Sequence, residues 1–409
     1  MYLLRLVAER QLRMSVSGVA RSRMGRVGAA ILAVTAAAAL LAGCTIDNGG
    51  TDSSAASTTK AAPEKPEVSV KNGAVDVNPA EPVTIKTKKA RLKEVTMTNQ
   101  EGKVVAAELA SDGKSWTTTE ELGFYRDYTI DAVTSEGEKV HTTFSTVKPA
   151  AEANVALSPI PESVVGIGQT VSFQFGVGIP NRKAVQDAIT ITTEPKVEGA
   201  FYWISDSVLR WRPENFWEPG TQVTVDAKLY GVDLGEGVYG GLDNQSSFTV
   251  GDSVIAEVDD ATKIMTISRG GEQVNSMPVS MGSAKFPTPN GTYVVGDRNP
   301  QMVMDSSTYG LDVNSADGYR TDVQFATQIS WSGIYVHAAP WSTWAQGSQN
   351  VSHGCINVST ANAQWFQDNV KRGDVVIIKN TIGGELSGYD GLGDWNIPWE
   401  TWKAGNVDK

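Results

Sequence analysis

The sequence predicts a mainly β protein: two β-sandwich domains, then a third β-rich domain with one short helix, then a C-terminal tail. Three observations predict it. Short runs of Val, Ile and Thr alternate with polar residues at the strand period of two, turn residues separate those runs, and a single internal stretch, Ala361 to Val370, has helical character. A length of 409 residues with 41% hydrophobic and 20% charged residues is ordinary globular composition spread over several domains. The net charge of -11 excludes sequence-independent nucleic-acid binding, which needs lysines and arginines to neutralise phosphates.

The N-terminus reads as an export signal. Arg5, Arg10, Arg13, Arg21, Arg23 and Arg26 precede an apolar run from about Val27 to Ala42, the charged and apolar regions of a secretory peptide. The run ends in Leu41-Ala42-Gly43-Cys44, which resembles a bacterial lipobox. Residues 1–43 are therefore expected to be a lipoprotein signal peptide, with Cys44 lipidated; a short membrane anchor with an incidental cysteine is the competing reading. A signal beginning at Met24 has the more standard length, so the true start is open. Two acyl chains on Cys44 give stable anchoring where one does not. Residues 44–66, rich in Ser, Thr, Ala, Gly and Pro, are expected to form a flexible tether that holds the protein off the outer face of the cell membrane.

Residues 67–149 carry alternating runs at Val68–Val70, Val83–Ile85, Leu92–Met97, Tyr128–Ile130 and Thr142–Phe144. Asn99–Lys103 and Ser111–Lys114 are expected hairpin turns, with Gly102 and Gly113 supplying positive φ. Residues 150–251 repeat the pattern at Thr170–Phe175, Ala188–Thr192, Val208–Trp211, Val223–Leu229 and Ser246–Val250. Neither block groups titratable residues at a useful spacing, so both read as spacer or docking modules. His141 stands alone and reads as a surface histidine. Trp203, Trp211 and Trp217 read as sandwich core in preference to a carbohydrate-stacking face.

Residues 252–380 open with a hairpin, Val254–Val258 and Ile264–Ser268, and continue with strands at Gly291–Gly296, Val323–Phe325, Ile334–Val336 and Val375–Ile378. The helix follows Ser359-Thr360 as caps. Here the chemistry concentrates: His337 is followed by Ser352-His353-Gly354-Cys355-Ile356-Asn357, placing two of the three histidines beside the second of only two cysteines. A thiol kept unpaired in an oxidising compartment is a liability unless it is used or deeply buried. Cys355 needs a base or a positive field to become a thiolate, and an imidazole is the usual source. Gly354 lets the backbone bend before Cys355 and aim N–H groups at an oxyanion. Two alternatives remain: a buried structural cysteine, or a zinc site made of His337, His353 and Cys355, which has no acidic support in the sequence.

The split motif Ile334-Tyr335-Val336-His337 and Ser352-His353-Gly354-Cys355-Ile356-Asn357 resembles the signature of YkuD-type L,D-transpeptidases over residues 252–380. The arrangement of lipobox, two sandwiches and third domain is similar to actinobacterial members, which makes the sandwiches immunoglobulin-like. The resemblance implies that Cys355 forms a thioester with the third residue of a donor tetrapeptide stem of peptidoglycan, expels D-alanine and passes the acyl group to the side-chain amine of an acceptor stem, a 3-3 cross-link. It implies His337 as base and His353 and Gly354 with the Cys355 amide as the oxyanion pocket. Met304, Tyr309, Tyr319, Ser332, Gly333, Trp341, Ser352 and Asn357 are expected at the substrate, carbapenems are expected to acylate the enzyme, and a monomer without cofactor or metal is expected. Ala338 departs from relatives with serine there, and a backbone carbonyl is expected to orient His337 in its place. An L,D-carboxypeptidase with water as acceptor, or a non-catalytic wall-binding lipoprotein, are the rivals; papain-like peptidases put the cysteine before the histidine, the reverse of the order here.

In the tail, residues 381–409, Trp395, Trp399 and Trp402 recur at the spacing of one helical face, with Pro398 in a first turn and Asn396 as cap. The expectation is a helix docked on the third domain or the second sandwich; a mobile tail whose tryptophans contact glycan is the alternative.

Overall fold

The computed structural model describes residues 63–407; Cys44, the signal region and most of the tether lie outside them. The end of the tether is shorter than expected. Glu64 accepts backbone N–H groups from Lys88, Lys89 and Ala90 at 2.5, 2.6 and 3.2 Å, so the chain is already tied to the first sandwich there. Those same N–H groups hold the Glu64 carboxyl below the usual carboxylate range.

The first sandwich faces a sheet of Glu67–Val68, Thr84–Lys86, Ser115–Thr118 and Ala107–Leu109 with one of Ala74–Val77, Lys139–Thr146, Asp127–Thr134 and Leu92–Asn99. Alternation decides which faces meet. In Asp127–Thr134, Tyr128, Ile130, Ala132 and Thr134 are buried, and the first three join Ile85, Met97, Trp116 and Phe144 in the core. His141 has a partner the sequence did not announce: Asp131 stands opposite it across the ladder, with Nδ1 and Oδ1 2.8 Å apart on the exposed face.

The second sandwich pairs Val155–Ser158, Val171–Phe175, Val208–Pro213 and Gly199–Trp203 in one sheet, and Ser163–Val165, Asn244–Val250, Gln222–Ala227 and Ile189–Glu194 in the other. Trp203, Trp211 and Trp217 are buried, which removes them as a sugar-stacking face. A helix at Arg182–Asp187, capped by Asn181, is too short for its periodicity to show in the sequence.

The third domain is built on two sheets. One has the order Glu272–Pro278, Ile264–Arg269, Val254–Asp259, Val375–Lys379, Gly291–Val294; the other runs Arg298–Asp305, Arg320–Gln328, Tyr335–Ala338, Ile356–Val358. The helix Thr360–Asn369 starts where Ser359 accepts the Asn362 N–H, and it buries Ala363 and Phe366 in the same core as Tyr293 and Val336. This domain is fused to the second sandwich: Val375 belongs to that sandwich's core, and the Gly166 and Gly168 N–H groups donate to Arg372 and Gly373 carbonyls, both at 2.8 Å. A Cβ on Gly166 would sit 2.1 Å from the Asp374 nitrogen, so only glycine permits this approach.

The tail docks, although not as one helix. Trp395 lies in a 3₁₀ turn, Asp394–Asn396, and the α-helix covers only Trp399–Ala404 with Pro398 at its N-cap. Asn396 does not cap it; its amide instead clamps the Thr292 backbone, accepting from N at 2.8 Å and donating to O at 2.7 Å. The three indoles converge on the buried Arg212 of the second sandwich, at 4.6, 5.4 and 4.5 Å from Trp395, Trp399 and Trp402. Arg212 Nη2 also donates to the Ile397 carbonyl at 2.8 Å, and burial brings the guanidinium down to about 10.

Candidate active site

The second sheet of the third domain brings the motif halves together. Tyr335–Ala338 and Ile356–Val358 pair in parallel, with Val336 opposite Ile356 and His337 opposite Asn357. Cys355 therefore stands at the entrance of its strand, and its side chain and that of His337 line one cavity of about 300 Å³. Met304, Tyr319, Trp341, Ser352, His353 and Asn357 line it as well. Thr321, Val323 and Val351 complete the lining. They were not singled out in the sequence: Thr321 and Val323 are β-branched residues on a strand, which look the same whether they face a core or a cavity, and Val351 lies outside any strand.

His337 is buried, and its Nδ1 lies 2.9 Å from the Ala338 carbonyl oxygen. A carbonyl only accepts, so Nδ1 carries the proton and Nε2 the lone pair. Burial lowers the His337 pKa from its ordinary value, with the Ala338 carbonyl opposing the shift. The Ala338 methyl takes no part, so the departure from serine leaves the orientation of the ring intact.

Cys355 is buried too, with Sγ 3.6 Å from the Gly333 carbonyl. Burial pushes the thiol up to about 11, against a smaller opposing effect of the Tyr335 backbone. From the sequence, a base or a positive field is needed to depress the thiol. Burial acts the other way on both groups, raising the Cys355 pKa and lowering that of His337, so it favours the neutral thiol and the neutral imidazole.

The turn before Cys355 is fixed by Ser352 and Thr288. Ser352 Oγ donates to the Cys355 carbonyl at 2.6 Å and accepts the Gly354 N–H at 3.1 Å. Thr288 Oγ1 donates to the Gly354 carbonyl at 2.8 Å. Gly354 has φ of 120°, a region that L side chains rarely adopt, so its contribution is the bend. Its N–H is already used by Ser352 and does not point at an oxyanion, whereas the Cys355 amide has no acceptor among the described residues. His353 is exposed and stacks on Phe286 at 4.6 Å between ring centroids, with Tyr319 tilted at 5.0 Å.

The remaining expected residues divide. Asn357 is buried, donates Nδ2 to Ser342 Oγ at 3.1 Å, and leaves Oδ1 without a hydrogen-bond partner. Tyr309 is not among the residues that line the cavity; it packs its ring 6.2 Å from that of Tyr319, which is. Gly333 reaches the site through its carbonyl. Ser332 is not brought to the cavity: its N–H donates to Asp390 of the tail at 2.9 Å and its hydroxyl to Ser330 at 3.0 Å. Asp390 is distant in sequence, so nothing near Ser332 warned of this. Among the described residues, no three of His, Cys, Asp and Glu gather into a metal-binding group.

The fold and site thus define a class, a mainly β chain of immunoglobulin-like sandwiches carrying a β-rich domain with a cavity lined by a cysteine and two histidines. Residues 74–233 match the bacterial Ig domain (Big_10), and residues 253–378 match the L,D-transpeptidase catalytic domain (YkuD). The chain is 53% identical over 342 residues to L,D-transpeptidase 2 of Mycobacterium tuberculosis (strain CDC 1551 / Oshkosh), covering 83% of this chain and 84% of that protein. It is 34% identical to L,D-transpeptidase 5 of Mycobacterium tuberculosis (strain ATCC 25618 / H37Rv), over 81% of this chain and 74% of that one. Among solved structures, L,D-transpeptidase LdtMt1 in complex with imipenem aligns with a TM-score of 0.49 and 38% identity, over 56% of this chain and 99% of that one. The chain belongs to the L,D-transpeptidase family and is an acyltransferase acting in the cell wall.

Proposed function

We propose that the enzyme forms 3-3 peptidoglycan cross-links through a thioester on Cys355. The observation that carries this reading is the shared cavity of Cys355 and His337, with His337 Nε2 left as the free base by the Nδ1 bond to Ala338. Because the resting thiol is neutral, proton transfer accompanies attack. His337 Nε2 takes the Cys355 proton as sulfur adds to the carbonyl of the donor stem's third residue. The carbonyl oxygen becomes an oxyanion and accepts the Cys355 N–H. Collapse breaks the bond to D-alanine, whose amine leaves with the proton from His337, and the thioester remains. The acceptor amine then attacks the thioester carbonyl, loses its proton to His337, and expels the sulfur, which recovers that proton. A new amide and a free thiol result.

The cavity walls suit this sequence: Met304, Val323 and Trp341 are apolar, and the orphaned Asn357 Oδ1 is an acceptor for a substrate amide N–H. Carbapenems, which also present a strained acyl group, are proposed to acylate the same sulfur. Export and membrane anchoring through Cys44 remain part of the reading on the strength of the arginine-rich, lipobox-like N-terminus.

Incubation with a tetrapeptide stem tests the reaction. Cross-linked dimers with release of D-alanine support it; tripeptide without dimers assigns the enzyme to hydrolysis, and no turnover assigns the protein to wall binding.

A further inference from the structure

We infer that Trp344 and Trp341 form a sugar-stacking platform at the rim of the catalytic cavity, which takes the neutral amino-sugar backbone to which a stem is attached. The inference rests on the proposed function for the identity of the substrate. Its own observations are separate from the reacting groups. Trp341 is 52% exposed although it lines the cavity, and Trp344 is 66% exposed without lining it. A large indole left in water carries a cost that an unused surface does not need.

Both indoles sit on a stiff segment. Pro340–Ser342 forms a 3₁₀ turn, and Ala345 is fully buried behind it. Gly347 N–H donates to the Val279 carbonyl at 2.9 Å, and Gln346 Nε2 donates to the Ala339 carbonyl at 3.2 Å. The Trp344 indole N–H donates to the Trp341 carbonyl at 3.2 Å, which ties the second ring to the backbone that carries the first. Two rigid aromatic faces are therefore presented without ordering cost at the moment of binding.

Charge selects the occupant. Between Asp322 and Asp368 the sequence contains no Asp, Glu, Lys or Arg, in a chain that is 20% charged. The exposed residues that flank the two indoles in sequence are Pro340, Thr343, Gly347, Ser348 and Gln349, none of them charged and three of them with hydrogen-bonding side chains. The segment itself offers no cation to an anionic ligand and no lysine or arginine to a membrane headgroup, and Lys263, on the neighbouring hairpin, is already paired with Asp260. Aromatic faces bordered by hydroxyls and amides match the C–H faces and hydroxyls of a neutral sugar. Position supplies the link to function: the carbonyl that holds Trp344 belongs to a residue of the cavity wall, so a stem threaded into the cavity leaves its sugar end at the rim.

The test uses two substrates, a free tetrapeptide stem and the same stem on its disaccharide, together with chitotetraose as a peptide-free probe. Trp344→Ala is expected to lower kcat/KM for the disaccharide-linked stem roughly tenfold while the free stem changes less than about twofold, the behaviour of a tryptophan anchor at an interface. Trp344→Phe is expected to recover most of the loss, since it keeps an aromatic face. Calorimetric titration of the full exported chain with chitotetraose should show binding that Trp344→Ala removes. Equal losses on both substrates would overturn the platform and leave Trp344 as a support for the Trp341 loop. Absence of chitotetraose binding, or its replacement by Trp344-dependent binding to phosphatidylcholine vesicles, would also overturn it. Chitotetraose binding that depends on Trp344, in a protein that never acylates on either stem, would uphold the platform and remove the proposed reaction instead.

Discussion

His337 Nδ1 and the carbonyl oxygen of its own neighbour, Ala338, lie 2.9 Å apart, and this one bond leaves the lone pair on Nε2, the atom proposed above as the base. Burial in the same place disfavours the imidazolium, so the His337 pKa falls below its ordinary value of 6.5. Neutral His337 thus persists to lower pH than a solvated histidine would. The acid limb of kcat/KM is expected to have its midpoint below pH 6.5, with activity lost as pH falls through it. Ala338→Ser should leave that midpoint in place, because the orienting group is a carbonyl. A pH–rate profile of both proteins checks this, and a midpoint above 6.5 would place a different group in the role of base.

His337→Ala is expected to lower the acylation rate on the order of a hundredfold or more, the usual contribution of a positioned general base. His353→Ala should cost less. Its ring is exposed and stacks on Phe286 and Tyr319, while the Cys355 amide, proposed above to receive the oxyanion, belongs to the backbone. Stopped-flow acylation of the two variants gives the order directly, and complete failure of His353→Ala beside a functioning His337→Ala would reverse the assignment.

That His337 and Cys355 belong together was legible in the sequence because the chain spends its histidines and its second cysteine so sparingly, and the two do line one cavity. Strand runs were legible through alternation, as in Asp127–Thr134, where every second residue is buried. What escaped depends on partners distant along the chain. Ser332 looked like a groove residue until Asp390 of the tail claimed its N–H, and Asn396 looked like a helix cap until it folded onto Thr292. The direction of the Cys355 pKa escaped for a related reason: depth of burial is a property of the assembled sheet, and the motif alone does not contain it.

Ser352 ties the bend to the nucleophile through two hydrogen bonds, at 2.6 Å to the Cys355 carbonyl and 3.1 Å from the Gly354 N–H. Ser352→Ala leaves both groups unsatisfied, and a loss of about 1–3 kcal/mol in unfolding free energy is expected. The acylation rate should fall along with it because Gly354 no longer holds Cys355 at its angle. Urea unfolding and single-turnover acylation measure the two effects; an unchanged stability would show that the bend is held by Thr288 alone.

Trp402 is fully buried, stacks on Tyr202 with ring centroids 5.1 Å apart, and donates its N–H to the Ala200 carbonyl at 2.8 Å. Trp402→Ala is expected to cost about 3–5 kcal/mol. Truncation after Asn380 should lower the melting temperature further, since Leu386 and Ile397 leave their cores with it. Cys355 chemistry should suffer only secondarily. Calorimetric melting of both proteins tests the docked tail, and unchanged melting would contradict it.

The most direct test of the central claim is intact-protein mass spectrometry after mixing the enzyme with a tetrapeptide donor and no acceptor. The account predicts an added mass equal to the donor less D-alanine, mapped to Cys355 and absent from Cys355→Ala. An adduct elsewhere, or D-alanine release that survives in Cys355→Ala, would contradict it.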